Sequence, residues 1–566
     1  MKNIIYRNIS MLASIAALIG VASAYTLGER PSRGGDRVVV LTNEGVTPAT
    51  WTAAFEPGSD VSLTSTVSAD AVPYGDLPAD RFPPNGWDDL QGFSTTGWTE
   101  LNVTSSSAVG ASNVIAPNTP TLDAAAKIEA IIQSTSGNRV IYLPAGSYYL
   151  HTKLDITQSN IVIRGDGKGA TKVFIVAPSS LDAEIEFRGI GPGTESDITN
   201  LPQRGDQTVS VASPGSFAVG GFAHIYDPGK VPPISYPGVA NISHFGQIVK
   251  ITAINADTLT LDMKLGLNFN NNPKITPVAM IQRVGIDNLS VVRDRAAASN
   301  GVNNIEFKFA NDVFANELES SYLEQGGIAA SFSKRVVVVN SDVHDAYSLG
   351  GGGQAYGIRM VFNTTQCRIT NNKLWNLRHH IILDRGANHC VVSFNSTEPG
   401  YETTSGDLNT HGFTTHNNLF EGNMGRNLKW DERSDPGLSQ FQGIYNVAYR
   451  NRLTAQTGNA ISVLGSNSTG NLSHYFPTAI GNLTATIVIS QNVVDKFVGA
   501  NRVNGTVVLG DMASGSSYPV SLYETAKPSF FGVKPWPIFG PSVADFGNAN
   551  TIPAADRAGV NTPKPN

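Results

Sequence analysis

Apolar positions along this chain follow one helical stretch and then, almost everywhere else, a strand rhythm. In TLDAAAKIEAIIQS at 121–134, Ala125, Ile128, Ile131 and Ile132 fall on a single stripe. Thr121 can cap this helix and Asp123 suits its first turn. Short β-type runs follow at Arg139–Leu143, in LPAGSYYL, at Ile161–Arg164 and at Val173–Val176. Residues 195–280 break the rhythm with VSVASP, HIYDP, GQIVKITAI and DTLTLDMKL between Gly/Pro loops, which predicts a β-rich insertion. Residues 25–115 are rich in Ser, Thr, Gly and Pro, with short runs such as Arg37–Thr42, and read as an irregular, mostly β region.

From 285 onward the runs repeat: IDNLSVV, VFANELESSYL, RVVVVNSDVH, CRITNNKLWNL, CVVSFNST, LFEGNMG, YNVAYRNRL and IVISQNVVD. Most carry a polar turn with Asn. Cys367 to Asn372 and Cys390 to Asn395 each span five residues, and both pairs repeat at 23. Arg335 to Asn340 and Asn446 to Asn451 keep the five-residue interval. Asn395, Asn423 and Asn451 are 28 apart, whereas Asn340 to Asn372 is 32, the excess being a loop with Gly350, Gly351, Gly352 and Gly353.

A period in the twenties with short strands fits one coil of a solenoid. The Leu-x-x-Leu-x-Leu grammar of leucine-rich repeats is absent. A parallel β-helix, with three short strands per coil, stacks equivalent residues about 4.8 Å apart. Stacked Asn side chains can then bond to one another, and Asn at a turn tolerates left-handed backbone. The same register sets Cys367 over Cys390, as a buried thiol stack or an inter-coil disulfide.

Length and composition narrow the picture. At 566 residues the chain exceeds an ordinary domain unless it grows along an axis. Only 15% of residues are charged and the net charge is −6, so there is no basic excess for nucleic acid. Lys2 and Arg7, the apolar run Met11–Val21 and the small residues Ala22, Ser23 and Ala24 read as a signal peptide over 1–24, which predicts a secreted protein, extracellular or periplasmic, with no membrane span. Cys390 beside His389 is the only Cys/His grouping, too little for zinc. Gly165-Asp166-Gly167-Lys168-Gly169 resembles a phosphate loop, but a β run follows it, so tight turns explain it better.

The helix at 121–134, followed by VIYLPAGSYYL and IVIRGDGKGATKVFI, resembles the N-terminal entry of the pectate-lyase-like superfamily of right-handed parallel β-helix proteins. GIDNLSV, HDAYSLGGGGQAYGI and SLYETAKPSFFGVKPWPIFGP are similar to a bacterial secreted branch, and the likeness covers about 120–545. It implies an all-β solenoid: a β-helix over 116–500 with a capping helix and the insertion, and a C-terminal tail at 501–566 packed on it. That fold hosts lyases, hydrolases, esterases and phage tailspikes. The resemblance also makes calcium a candidate cofactor, since some β-helix lyases use it to bridge acid groups, though no EF-hand-like loop is present.

Offsets of four to eight after each turn Asn predict a line of ionisable residues along one flank. They reach His344 and Asp345 after Asn340, Arg378, His379 and His380 after Asn372, Tyr401 and Glu402 after Asn395, and Lys429 and Asp431 after Asn423. Loops 348–357, with Tyr356, and 397–412, with Asp407 and His411, border the flank. Such a groove suits a polysaccharide, and its Arg, His and Lys suit a uronic acid polymer, bound by a monomer. For β-elimination, Arg378 is the candidate carboxylate partner, His379 or His411 the base, and Tyr356 the acid. His344, Asp345, Lys429, Asp431 and Arg433 would bind substrate. A glycoside hydrolase would need two carboxylates from Asp345, Asp384, Asp407, Glu421 and Asp431. A non-catalytic glycan-binding or adhesin-type β-helix is the third alternative. Against these stand structural roles: Arg378 and His379 paired with Asp384 or Glu421, and Glu421 as a buried turn residue.

Overall fold

In a computed structural model, the described residues are 39–40, 77–176, 183–294, 302–349, 353–398, 406–430, 440–454, 459–463, 472–489, 493–512, 516–539 and 551–564, apart from a few single positions and pairs. The signal-peptide reading at 1–24 lies outside them, as do Gly350–Gly352, Tyr401, Glu402, Asp431 and Arg433.

The chain winds into a right-handed parallel β-helix with three faces. One coil is Tyr356–Val361, Thr365–Thr370 and Lys373–Trp375; the next is His379–Asp384, Asn388–Ser393 and Ser396–Thr397. Each strand pairs in parallel with its equivalent one coil later. The first face runs through Asn303–Lys308, Gly326–Ser331, Tyr356–Val361, His379–Asp384, Leu408–His411, Leu428–Trp430, Ile461–Val463 and Ile487–Ile489. Val39–Val40 closes that sheet with an antiparallel pairing on Ile489 and Val488. Inward positions such as Ile358, Met360, Ile381, Leu383, Leu408 and Leu428 form one continuous core. Its entry end is closed by α1, Ala124–Ser134, which buries Ala125, Ile128, Ile131 and Ile132. The cap is Asp123, accepting from Ala125 N at 3.1 Å, rather than Thr121. Residues 165–169 form turns between Ile161–Arg164 and Thr171–Ile175, with no helix following.

Asparagine stacking pins the coils. The Nδ2 of Asn372, Asn395, Asn423, Asn451 and Asn482 each donates to the Oδ1 of the next rung, ending on Asn501, at 2.9–3.0 Å. The left-handed backbone falls one residue earlier, at Asn371, Phe394, Gly422, Arg450, Gly481 and Ala500. Asn340 is itself one of these earlier residues. Its side chain joins an outer stack with Asn316 and Asn371, and Ser341 N–H meets Asn372 Oδ1. Cys367 lies over Cys390 in register, both buried and without a disulfide.

The chain leaves the coil after Arg188 and rejoins it at Ile281, where Val284–Asp287 pairs directly with Ile161–Arg164. Apart from Ile234–Tyr236 and Val239–Ile242, which pair as a separate hairpin, the intervening strands form an antiparallel sheet with its own core, including Val249, Leu259, Leu261 and Phe269. It packs on the corner between the first and second faces, where Ile248 N–H meets Thr365 Oγ1 and Asn417 Nδ2 meets Gly266 O.

Two of the three faces are covered by the ends of the chain. On the second face, outward Val391, Leu419, Val447 and Tyr449 lie under Leu77, Phe82, Trp87 and Leu522, while Val140, Val162, Phe314 and Val337 lie under Leu90. Covering these apolar side chains is the physical role of residues 77–93, since an exposed strip of that size would cost burial on every coil. On the third face, Arg557 pairs with Asp342 and Thr562 hydrogen-bonds to Glu319. Lys564 lies over the rings of Tyr322 and Tyr347, at 4.3 and 4.0 Å.

Candidate functional site

The outward side of the first face collects polar and aromatic groups from successive coils. Tyr356 opens one strand and pairs in register with His379 on the next, their ring centroids 5.3 Å apart. His411, at the end of the following strand, brings its ring to 6.1 Å from that of His379. Parity alone would turn His379 inward with Ile381 and Leu383. A bulge redirects it: Arg378 N and His379 N share Ala355 O, and His380 N and Ile381 N share Asp407 O.

Arg359 crosses this surface with its guanidinium 5.6 Å from the Tyr356 ring centroid and Nη2 3.2 Å from Asp384 Oδ2. Arg385 Nη1 reaches the same oxygen at 2.7 Å. The conformation of Arg385 follows from a corner ladder. Phe309, Phe332 and Phe362 stack at 5.1 and 5.2 Å, Arg385 extends the stack at 5.7 Å, and all four have left-handed φ. Asp384 is 1% exposed. Burial works to raise its pKa, but Arg385, Arg359 and His411 outweigh burial and bring it to about 2. Its Oδ1 has no hydrogen-bond partner in the protein, nor has Arg359 Nε or Asn409 Oδ1. Glycine is required at 412, where φ is +75° and a Cβ would stand 2.6 Å from Asp384 Oδ1.

A register row runs across the face through Arg359, Ile382, Asn409 and Lys429. His379 Nδ1 donates to Gly406 O at 2.9 Å. Tyr356, His379, His411 and Lys429 therefore share the outward side of the first face, Tyr356 and His379 buried there and His411 and Lys429 half-buried. Arg378 sits half-buried at its lip, one residue before His379.

His344 and Asp345 lie elsewhere, on the third face beneath residues 551–564. His344 stacks on Trp375 at 4.0 Å and is fully buried, with Nδ1 2.9 Å from Asp345 Oδ2 and Nε2 3.3 Å from Glu319 Oε1. His380 faces Asp407, Nδ1 to Oδ1 3.4 Å, at the corner between the third and first faces. Glu421 is buried on the second face, accepting from Leu522 N at 3.0 Å; burial drives its pKa up to about 8 against the hydrogen bonds from Ser521 and Leu522. His389 is buried against the insertion, with its ring 5.8 Å from that of His416. Arg359, Asn409 and Arg385 are site residues that sequence spacing did not single out, and Asp384 stood there only as a carboxylate or ion-pair candidate.

Among the carboxylates considered for hydrolysis, Asp384 alone of the described ones belongs to this cluster. Among the described residues, no three His, Cys, Asp or Glu side chains converge to hold a metal ion, so these residues do not fit the calcium considered from the sequence. No helix among them is long and apolar enough to cross a membrane.

No family model and no curated protein matches the sequence. Among solved structures, the chain is similar to the tailspike protein gp49 of Pseudomonas phage LKA1, with 16% identity and a TM-score of 0.46 over 63% of this chain and 57% of that one. It is similar to the A-module of the mannuronan C-5 epimerase AlgE6 of Azotobacter vinelandii, with 11% identity and a TM-score of 0.40 over 74% and 97% of the two chains. A third likeness is to the DFA-IIIase of Arthrobacter chlorophenolicus A6, at 12% identity and a TM-score of 0.37 over 74% and 86%. The match spans little more than half the length of the tailspike. These are likenesses of fold, and the β-helix assignment rests on the strand pairings above.

Proposed function

We propose that this protein is a secreted enzyme that cleaves a uronic-acid-containing polysaccharide by β-elimination on the first face of the β-helix. The observation that carries this reading is the row of Tyr356, His379 and His411, with ring centroids 5.3 and 6.1 Å apart, beside Arg359 and Arg385 and a single described carboxylate, Asp384. Arg378, Arg359, Arg385 and Lys429 outnumber that carboxylate, so the surface favours an anionic chain. Arg378 and Arg359 would hold the substrate carboxylate and make the C5 proton more acidic. His379 Nε2 would take that proton. The C4–O bond would then break as the C4–C5 double bond forms, and Tyr356 would protonate the departing oxygen. Lys429, one coil beyond His411, would bind the next acidic sugar.

Incubation with polygalacturonate, polymannuronate and polyglucuronate tests this. The expected result is rising absorbance from an unsaturated uronide. New reducing ends without that absorbance would favour hydrolysis, and binding with neither signal would make the groove a glycan-binding surface.

A further inference from the structure

The hydrogen-bond chain that ends on His379 begins outside the cluster. A carbonyl oxygen can only accept, so the 2.9 Å bond to Gly406 O places the proton of the neutral imidazole on Nδ1 and the lone pair on Nε2, and Asn409 Nδ2, at 3.5 Å from the same Nδ1, is too distant to reverse this. The N–H of the same peptide group, belonging to Asp407, donates to Asn427 Oδ1 at 2.7 Å. One peptide is thus polarised between Asn427 and His379, each bond strengthening the other. The Asp407 carboxylate holds this peptide in place. It accepts from Arg426 Nη2 at 2.7 Å, Arg426 N at 3.0 Å and Thr397 Oγ1 at 3.2 Å, and it is fully buried. Burial works to raise its pKa, but His380 and Arg426 bring it to about 2, so the clamp stays charged at neutral pH.

We infer that Asn427 and Asp407 are positioning residues that fix the tautomer of His379 by locking the Gly406–Asp407 peptide, so that Nε2 is the proton acceptor. The inference rests on the reading of His379 as the base and adds what makes it one. A histidine whose Nδ1 faced solvent would divide its proton between the two nitrogens and present the wrong one part of the time. Outer partners that fix the tautomer of a metal-ligating histidine commonly change activity about 10–100-fold, and an effect of that order is expected here.

The test uses the whole protein with 15N-labelled histidine, the His379 signal being assigned by its loss in His379→Gln. At neutral pH the wild type is expected to show the Nδ1–H tautomer. Asn427→Ala is expected to move the signal toward a mixture, and Asn427→Asp, which keeps an acceptor for the Asp407 N–H, to restore it. Asp407→Asn should also move it. On a cleaved uronide, Asn427→Ala should lower kcat about tenfold or more with little change in KM. A wild-type proton on Nε2 overturns the inference even if no variant folds, as does an unchanged tautomer in Asn427→Ala and Asp407→Asn. Absence of turnover on every glycan, with the Nδ1–H tautomer in place and lost in Asn427→Ala, would sink the proposed reaction and support this role.

Discussion

Tyr356 stands directly over His379, paired in register on neighbouring strands with ring centroids 5.3 Å apart. Separate losses are expected if one is the acid and the other the base. His379→Ala and Tyr356→Phe should each reduce kcat by about 100-fold or more. Circular dichroism and melting should stay close to wild type for Tyr356→Phe, which removes only an oxygen. Wild-type turnover in both variants would remove the assignment.

Asp384 holds two guanidiniums on a buried face, so its removal should be felt in stability before catalysis. Asp384→Ala leaves Arg359 and Arg385 without their shared carboxylate and should cost about 3 kcal/mol or more by denaturant unfolding. Its carboxyl is depressed to about 2, below its ordinary value of 3.8. The stabilisation is therefore present above pH 3.8 and is lost as pH falls toward 2. Asp384→Ala should flatten that acid limb of the stability curve.

Glu421 has the opposite sign. Its pKa is raised from 4.5 to about 8 by burial, so the folded protein prefers the protonated form. Stability contributed at that site is full below pH 4.5 and declines as pH rises to 8, because the unfolded chain ionises first. Glu421→Gln keeps an acceptor for Leu522 N–H without the charge. It should leave the melting temperature near wild type at pH 4 and raise it by several degrees at pH 8. Equal shifts at both pH values would contradict a buried, protonated Glu421.

Asn423 is the middle rung of the ladder, donating to Asn451 and accepting from Asn395. Asn423→Ala should leave several buried polar groups unsatisfied and cost about 3 kcal/mol or more, measured by urea unfolding. This ladder was legible in the sequence because a buried amide stack fixes both residue type and spacing. Asn340 misled by one position, since the register that pairs Val339 with Thr370 puts Ser341 on the rung. The site was legible only in part, for a related reason. Third-face strands shorten from Asp342–Ala346 through Lys373–Trp375 to Ser396–Thr397, so offsets of four and five after Asn340 stay on the third face while an offset of seven after Asn372 has already reached the first. His344 fell on the third face and His379 on the first. Arg359 and Asn409 gave no signal because they meet Tyr356, Asp384 and His379 only once separate coils are stacked.

Residues 551–564 should loosen from the third face in acid. Glu319 accepts from Thr562 N, Thr562 Oγ1 and Ser290 Oγ and sits 3.3 Å from His344 Nε2. Burial works against its charge, but His344, Ser290 and Thr562 prevail and hold the carboxyl below its ordinary 4.5. Burial also disfavours the imidazolium, yet Asp345 and Glu319 raise His344 above 6.5. The Glu319 contribution is present above pH 4.5 and lost as pH falls through its depressed value. The His344 contribution is full below 6.5 and lost as pH rises through its raised value. The contact should be tightest between these limits. Trp375 reports on it, being stacked on His344 and lying under Gly559. The difference in fluorescence between wild type and Trp375→Phe should shift to the red below pH 4, and Glu319→Gln should abolish that shift. A spectrum indifferent to acid in the wild type, or an unchanged shift in Glu319→Gln, would show that this carboxylate does not hold the segment down.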